Sequence, residues 1–456
     1  MTAIDSPPPA PGPLTNEDSV SSTLSRSERR RILLAVSLGW LFSAVDIVLL
    51  ILFQEEIASG LEIPLQQVRV TIGVGLLGSA VGGLFFAPLG DRIGRVRALA
   101  LSVLLYSLAT GAMGFAAGAG SLMALRFLAG IGTGGEWSIG FALLAEVWER
   151  ERRGMVGGLV AGMFNLGTFL AIILYQFAGN WRIAFWLMSV PALFAAALRR
   201  FTPESPLWCS LEAQRRAPEG LPEALRRRLL RPPLREIFSV EWRRLTLLAV
   251  LLFAVMNFAF YSFSTIFINY LQSAPSSGGL GLQKGEQFPY QLALNLCALC
   301  SALGAGYLSD RRGRRGAFII FCLIGVASFG ALSWGLLAGW ASPGSRLLTL
   351  FSLCCVGFGI NAVTGVYLPE LYPTQLRSTG PGFCQNIGKG IGGMLGPPLA
   401  GLAVKGYGYA VVLGSPIFAF LILLWLARSL PEVAGRSLSA VEGSEHLQRS
   451  STLASP

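Results

Sequence analysis

The chain passes from polar to strongly apolar sequence twelve times. Apolar runs occupy about 32–53, 70–89, 97–117, 121–144, 156–177 and 182–199, and again 245–270, 288–308, 316–338, 345–367, 381–402 and 408–428. A helix of about 20 apolar residues, rising 1.5 Å per residue, crosses a ~30 Å hydrocarbon core. Such runs become membrane helices, because in lipid each backbone N–H and C=O must find its partner within the segment. A soluble protein would carry roughly a quarter charged residues; here 13% are charged and 53% hydrophobic. The expected fold class is therefore all-α, a polytopic membrane protein with twelve transmembrane helices.

A polar, Arg-rich stretch at 200–243 separates the first six runs from the last six. This gives a six-helix bundle at 31–199, a linker at 200–243 and a second six-helix bundle at 244–429. Tails at 1–30 and 430–456 flank them. The first of these opens "MTAIDSPPPAPGPLTNEDSVSSTLS", is Pro- and Ser-rich with no cleavable signal, and is expected to be disordered.

The net charge of +11 raises the question of nucleic acid, but the placement of the charges answers it differently. Of 36 Lys and Arg, Arg69, Arg182, Lys284, Arg346 and Lys405 fall on one side and Arg126 and Lys389 inside the apolar runs, which leaves 29 on the other side. That bias predicts a multi-pass cell inner-membrane protein with both termini cytoplasmic; its partner is the bilayer, and no nucleic acid is expected.

Absences exclude other classes. The only histidine, His446, lies in the C-terminal tail, so no His-based metal site, proton relay or catalytic triad fits inside the membrane. Cys297 and Cys300 form a C-x-x-C within an apolar run, where redox or metal chemistry lacks solvent access. "GIGTGG" (Gly130–Gly135) follows no strand, so it is not read as a phosphate loop. No metal, cofactor or enzyme activity is expected.

Two motifs repeat at matched places in the two halves. Ala87-Pro-Leu-Gly90-Asp91-Arg92-Ile-Gly94-Arg95 lies between runs 2 and 3, and Gly306-Tyr-Leu-Ser-Asp310-Arg311-Arg312-Gly313-Arg314 between runs 8 and 9. Both follow G-x-x-x-D-R-x-G-R, with Ala87 in place of the first glycine. After runs 4 and 10, Glu146 precedes Arg153 by seven residues and Glu370 precedes Arg377 by seven. Such duplication marks two related six-helix repeats. A small residue at a helix end permits close approach, and an Asp there accepts from helix N-terminal amides while pairing with Arg. These clusters are expected to gate the cytoplasmic side by joining and releasing the halves.

With these motifs the chain resembles a major facilitator superfamily transporter over about residues 30–436. "PESPLW" (Pro203–Trp208) and "PEVAGRSLSAVE" after run 12 resemble the sugar-porter signatures, with Val433 where threonine is usual. "RFLAGIGTGGEWSIGFALLAE" and "GWLFSAVD" resemble the branch of carboxylate–proton symporters that includes sialate, lactate-type and aromatic-acid permeases. That branch has two aspartates in helix 1; here the first is Ser43 and Asp46 remains. The resemblance implies alternating access by a monomer, with a small molecule and protons as cargo. Run 5 lacks the Gly-Pro pair of the superfamily's antiporters, which favours uptake by symport. A sugar or neutral-solute proton symporter is the alternative, and Lys389 argues against it.

Four ionisable residues lie well inside the runs: Asp46, Arg126, Glu136 and Lys389. Such charges face a bundle interior, pair, and mark ion or substrate routes. Asp46 and Arg126 fall at similar depth below the outer surface and are expected to pair, as in proton-coupled relatives. Proton coupling is assigned to Asp46, Arg126 and Glu136, the last being either a second proton carrier or a partner for a cation. Lys389 is expected near the midplane, held by Glu136 when the site is empty and by a substrate anion when it is full. "CQNIGK" resembles the "YNxGR" of carboxylate relatives, with Asn386, Gly388 and a lysine in place of arginine. Gln385, Asn386, Asn361, Asn257, Tyr261, Gln291, Asn295 and Asn165 complete the expected substrate-binding set.

Overall fold

The computed structural model describes residues 24–217, 231–341 and 344–433. The remaining stretches of both tails, His446 and most of the "PEVAGRSLSAVE" signature lie outside the described residues. In the first half run α1 (Arg26–Leu52), α2 (Gln54–Gly60), α3 (Leu65–Ile93), α4 (Arg95–Met113), α5 (Ala119–Val147), α6 (Arg153–Phe177), α7 (Trp181–Leu187) and α8 (Val190–Phe201). The linker contributes α9 (Pro206–Arg216) and α10 (Pro233–Glu236). The second half holds α11 (Arg243–Gln272), α12 (Lys284–Arg312), α13 (Arg314–Leu337), α14 (Ser345–Gly357), α15 (Ile360–Leu371), α16 (Thr379–Gly414) and α17 (Pro416–Ala427).

Nine unbroken or nearly straight helical stretches among the described residues are long and apolar enough to cross a bilayer. The other crossings are broken helices, which is why length alone does not find them. The sixth is α7 and α8 in succession. The eleventh is α16 as far as Gly408, whose φ of 76° interrupts the helix. The twelfth runs from Tyr409 through a bend of 50° at Ser415 into α17. Together they make the twelve spans of two six-helix repeats.

The helices overrun the apolar segments at both ends. Thus α1 starts at Arg26, inside the stretch expected to be tail, because Ser25 and Glu28 form a capping box: Ser25 Oγ accepts the Glu28 amide and Glu28 accepts the Ser25 amide. Gly94 and Gly313, at φ 108° and 83°, turn the chain from α3 into α4 and from α12 into α13. A side chain is strained there, which accounts for the repeated glycine of the motif.

Lipid supplies no hydrophobic drive between helices, so close contact rests on small residues. A β-carbon on Gly130 or Gly134 of α5 would collide with the α3 backbone at Gly75 and Ser79. Across the halves, Gly306 of α12 lies against Gly154 and Gly158 of α6, and Gly382 of α16 against Ala87 of α3. Large apolar side chains point outward instead, among them Phe115, Phe177 and Phe418, and form the lipid-facing surface.

Candidate functional site

At the basic face the repeated motifs form two matched clusters, each crossing between halves. The Asp91 carboxylate accepts the amides of Ser378 (3.2 Å) and Thr379 (2.8 Å) at the start of α16. The Asp310 carboxylate accepts the amides of Gly154 (2.7 Å) and Met155 (2.8 Å) at the start of α6. Each Asp therefore sits on the positive end of a helix from the other half. Arg95 reaches Asp91 and Glu146, both at 2.8 Å, and Arg314 reaches Asp310 at 2.7 Å and Glu370 at 2.9 Å. Glu146 also meets Arg377 of the second half at 3.5 Å, and Glu370 meets Arg153 of the first at 3.7 Å. The Glu and Arg spaced by seven within one repeat thus exchange partners across the interface. The second motif residues, Arg92 and Arg311, stay exposed, and Arg311 lies over the Tyr307 ring.

Two glutamates of the resembled signatures brace this network from outside. Glu204 accepts the amides of Arg95 and Val96, capping α4, and Glu432 accepts those of Arg314 and Arg315, capping α13. Burial pushes the Glu204 carboxyl above its ordinary range, while the Ser205, Val96 and Arg95 amides and the Arg95 charge pull it down. Trp208 Nε1 and Arg215 of α9 both donate to the Asp91 carbonyl, so the linker helix rests on the same turn.

Deeper in the protein, Arg126 places one guanidinium nitrogen 2.9 Å from both oxygens of Asp46. Both side chains are buried, and Thr110 of α4 also donates to Asp46. Gly75 of α3 leaves room for the Arg126 guanidinium. Further along α3, Leu76 and Ala80 approach Gly393 and Gly390 of α16, which follow Lys389 in the chain. Lys389 makes no ion pair among the described residues; its charged neighbours are Arg126 and Asp46.

The expected Lys389–Glu136 pair is not formed. On α5, Gly134 faces Asn386 of α16, and its carbonyl accepts the Asn386 amide at 2.7 Å. Two residues on, Glu136 is rotated by roughly 200° and points the other way. It lies inside the first half, with Oε1 against Gly39 of α1 and Ser43 as its polar neighbour. It is 2% exposed, and neither carboxylate oxygen has a hydrogen-bond partner. The reading of Glu136 as a partner for a cation is therefore withdrawn for this state.

The sequence profile of the Major Facilitator Superfamily matches residues 33–385. The chain belongs to the Major Facilitator Superfamily. A Bacillus subtilis (strain 168) protein provisionally named a niacin/nicotinamide transporter, NiaP, is 30% identical over 411 residues, covering 88% of this chain and 94% of that one. The cis,cis-muconate transport protein of Acinetobacter baylyi (strain ATCC 33305 / BD413 / ADP1) is 28% identical over 364 residues, 76% and 83% of the two chains. The proton:xylose symporter XylE superposes with a TM-score of 0.74 over 92% of this chain and 99% of its own, at 17% identity, which speaks to fold alone. The chain is thus a membrane transporter of this superfamily and not an enzyme.

In this superfamily member the remaining polar candidates divide by how committed they are. Asn386 is buried and saturated: its amide donates to the Gly134 and Gly382 carbonyls and its oxygen accepts from Ser79. It joins the halves in this state. Asn257, Asn295 and Asn361 donate to carbonyls of their own helical turns, at Phe253, Gln291 and Phe358. Asn165, Tyr261, Gln291 and Gln385 are partly accessible, and Tyr261 lies against Gly393, one turn from Lys389. Residues with no site role assigned from the sequence are Thr110, Ser43, Glu204, Glu432 and Thr379. Their one available signal was position: Ser43 and Asp46 share a face of α1, and Glu204 and Glu432 follow matched helices.

Proposed function

We propose that this transporter takes up a small organic carboxylate together with protons. It sits in the cell inner membrane with both termini cytoplasmic, and its halves, 31–199 and 244–429, rock as a monomer about a midplane site. The observation that carries the reading is Lys389, a cation without an ion-pair partner among the described residues, whose charged neighbours are the buried Asp46–Arg126 pair of the other half. A lysine inside a membrane-spanning helix needs an anion, and among the described residues no carboxylate pairs with it. The names of the relatives, niacin/nicotinamide and cis,cis-muconate transporters, fit a carboxylate cargo.

The mechanism follows from charge balance. Protonation of Asp46 from the outer side neutralises it and frees Arg126, so that Arg126 and Lys389 together attract the substrate carboxylate. Carboxylate binding restores neutrality, which permits the halves to close over the site and the basic-face clusters to part. Asp91 and Asp310 hold that face shut in the state described, so the site is reached from the outer side. Release inward lets Asp46 lose its proton and reclaim Arg126. Glu136 is kept with Asp46 and Arg126 as part of the proton-handling group.

The test is uptake by purified protein in proteoliposomes with an imposed pH gradient, offered nicotinate, cis,cis-muconate, lactate, sialate or glucose. An acidic exterior should drive at least one carboxylate above its equilibrium level and leave glucose unmoved. Uphill glucose uptake, or indifference of every carboxylate to the gradient, overturns the reading.

A further inference from the structure

Glu136, Ser43 and Asp46 form one buried polar line inside the first half, closed from the substrate side. Gly39, Ser43 and Asp46 follow one another along one face of α1 at spacings of four and three residues, so each is a turn from the next. Glu136 Oε1 lies against Gly39, and the Ser43 hydroxyl is its polar neighbour. Ser43 is 1% exposed and its hydroxyl has no hydrogen-bond partner, as neither Glu136 oxygen does. Among the described residues no cation stands beside the Glu136 carboxyl, and the Ser43 hydroxyl is the donor placed next to it. Titratable and charged groups on three neighbouring helices surround this line. From α1 comes Asp46, itself bound to Arg126 of α5. From α4 comes Tyr106, whose hydroxyl donates to the Gly39 carbonyl at 3.3 Å. Lys389 of α16 has Arg126 and Asp46, not Glu136, as its charged neighbours.

We propose that Glu136 is a second proton station, filled from Asp46 through the Ser43 hydroxyl. This deepens the proton-coupled reading and rests on it. The step balances as a double transfer: the Asp46 O–H proton passes to Ser43 Oγ while the Ser43 hydroxyl proton passes to Glu136. Asp46 becomes an anion and rejoins Arg126; Glu136 becomes neutral; Ser43 is regenerated as a hydroxyl. The state described, with Asp46 ion-paired and Glu136 without partners, is the product of that transfer. A proton is then stored away from the substrate site while Asp46 is free to accept another, so that the cycle handles two protons at separate stations.

The experiment is infrared spectroscopy of the purified full-length protein in lipid nanodiscs, with no substrate added. The wild type should show the C=O stretch of a protonated carboxyl. The band should survive in Asp46→Asn and be lost in Glu136→Gln. On transfer to deuterated buffer, its isotope shift should be slowed about tenfold or more by Ser43→Ala and recover in Ser43→Thr, a hydroxyl at the same position. A band unaltered in Glu136→Gln overturns the station, and exchange at the wild-type rate in Ser43→Ala overturns the route. Because no substrate is involved, these outcomes are independent of the proteoliposome result: failure of carboxylate uptake leaves the band assignment intact, and loss of the assignment leaves the uptake result intact.

Discussion

The Asp310 carboxylate of one half accepts the Gly154 amide of the other at 2.7 Å. It holds the first turn of α6 and is itself held by Arg314 at 2.7 Å, so a single charge ties a helix end to a buried ion-pair network. Charge-assisted hydrogen bonds of this kind contribute roughly 1.5–3 kcal/mol each. Asp310→Asn keeps the shape and removes one of the carboxylates that hold Arg314, which retains Glu370 and the Ser309 hydroxyl. The closed basic face should weaken and turnover should slow by about tenfold, the equivalent of ~1.4 kcal/mol. Substrate affinity should stay within a fewfold, since the change is remote from Lys389. Turnover and binding measured on the same preparation check this: normal turnover with lost binding would contradict it.

Asp46→Asn removes the anion that holds Arg126 and mimics permanent protonation. Accumulation driven by a pH gradient should be abolished. Exchange of labelled for unlabelled substrate should survive in part, because exchange needs no net proton movement. Uphill uptake by the Asn variant would place the coupling elsewhere.

Much of this was legible in the sequence because it depends on local pattern. The twelve runs give the spans, the charge bias gives the expected orientation, and the duplicated Asp and Glu–Arg motifs give the clusters that join the halves. Asp46 and Arg126 could be paired from depth alone, since α1 and α5 enter from opposite faces and depth counts along a helix. Glu136 could not be placed that way. Depth brings it near Lys389, but rotation about α5 decides which neighbour it meets, and that rotation is set by Gly130 and Gly134 packing on the backbone of α3. The broken sixth, eleventh and twelfth spans show the same limit: their apolar composition is evident, whereas the breaks at Gly408 and Ser415 are local backbone choices. Likewise the exchange of Glu146 and Glu370 between the arginines of opposite halves is a tertiary relation that a spacing of seven does not encode.

Gly134 offers a stability test. Its Cα faces the Ser79 carbonyl and the Gly83 amide of α3, and a β-carbon there would collide with backbone rather than a movable side chain. Gly134→Ala should destabilise the protein by about 1–3 kcal/mol, the usual range for overpacking. Gly118→Ala, where a β-carbon meets open space, should leave stability nearly unchanged. Thermal unfolding of both variants in the same detergent reads the difference, and equal midpoints would refute the packing argument.

Lys389 decides the nature of the cargo. It lies one turn beyond Asn386, the residue that joins α16 to α3 and α5, and one turn before Gly393, where Tyr261 packs. Its neighbours Arg126 and Asp46 carry opposite charges and neutralise each other while paired, so among the described residues the lysine is left without a counter-charge. In the proposed function a substrate carboxylate supplies the missing charge. Lys389→Ala should therefore weaken carboxylate binding by at least about tenfold, in keeping with the loss of one charge-assisted contact. Lys389→Arg should retain binding with altered preference among nicotinate, cis,cis-muconate and lactate, because a guanidinium offers a planar fork where an ammonium offers a point charge. Isothermal titration of these acids against both variants provides the check. Unchanged affinity in Lys389→Ala would make the lysine a structural residue and remove the charge argument for an anionic cargo.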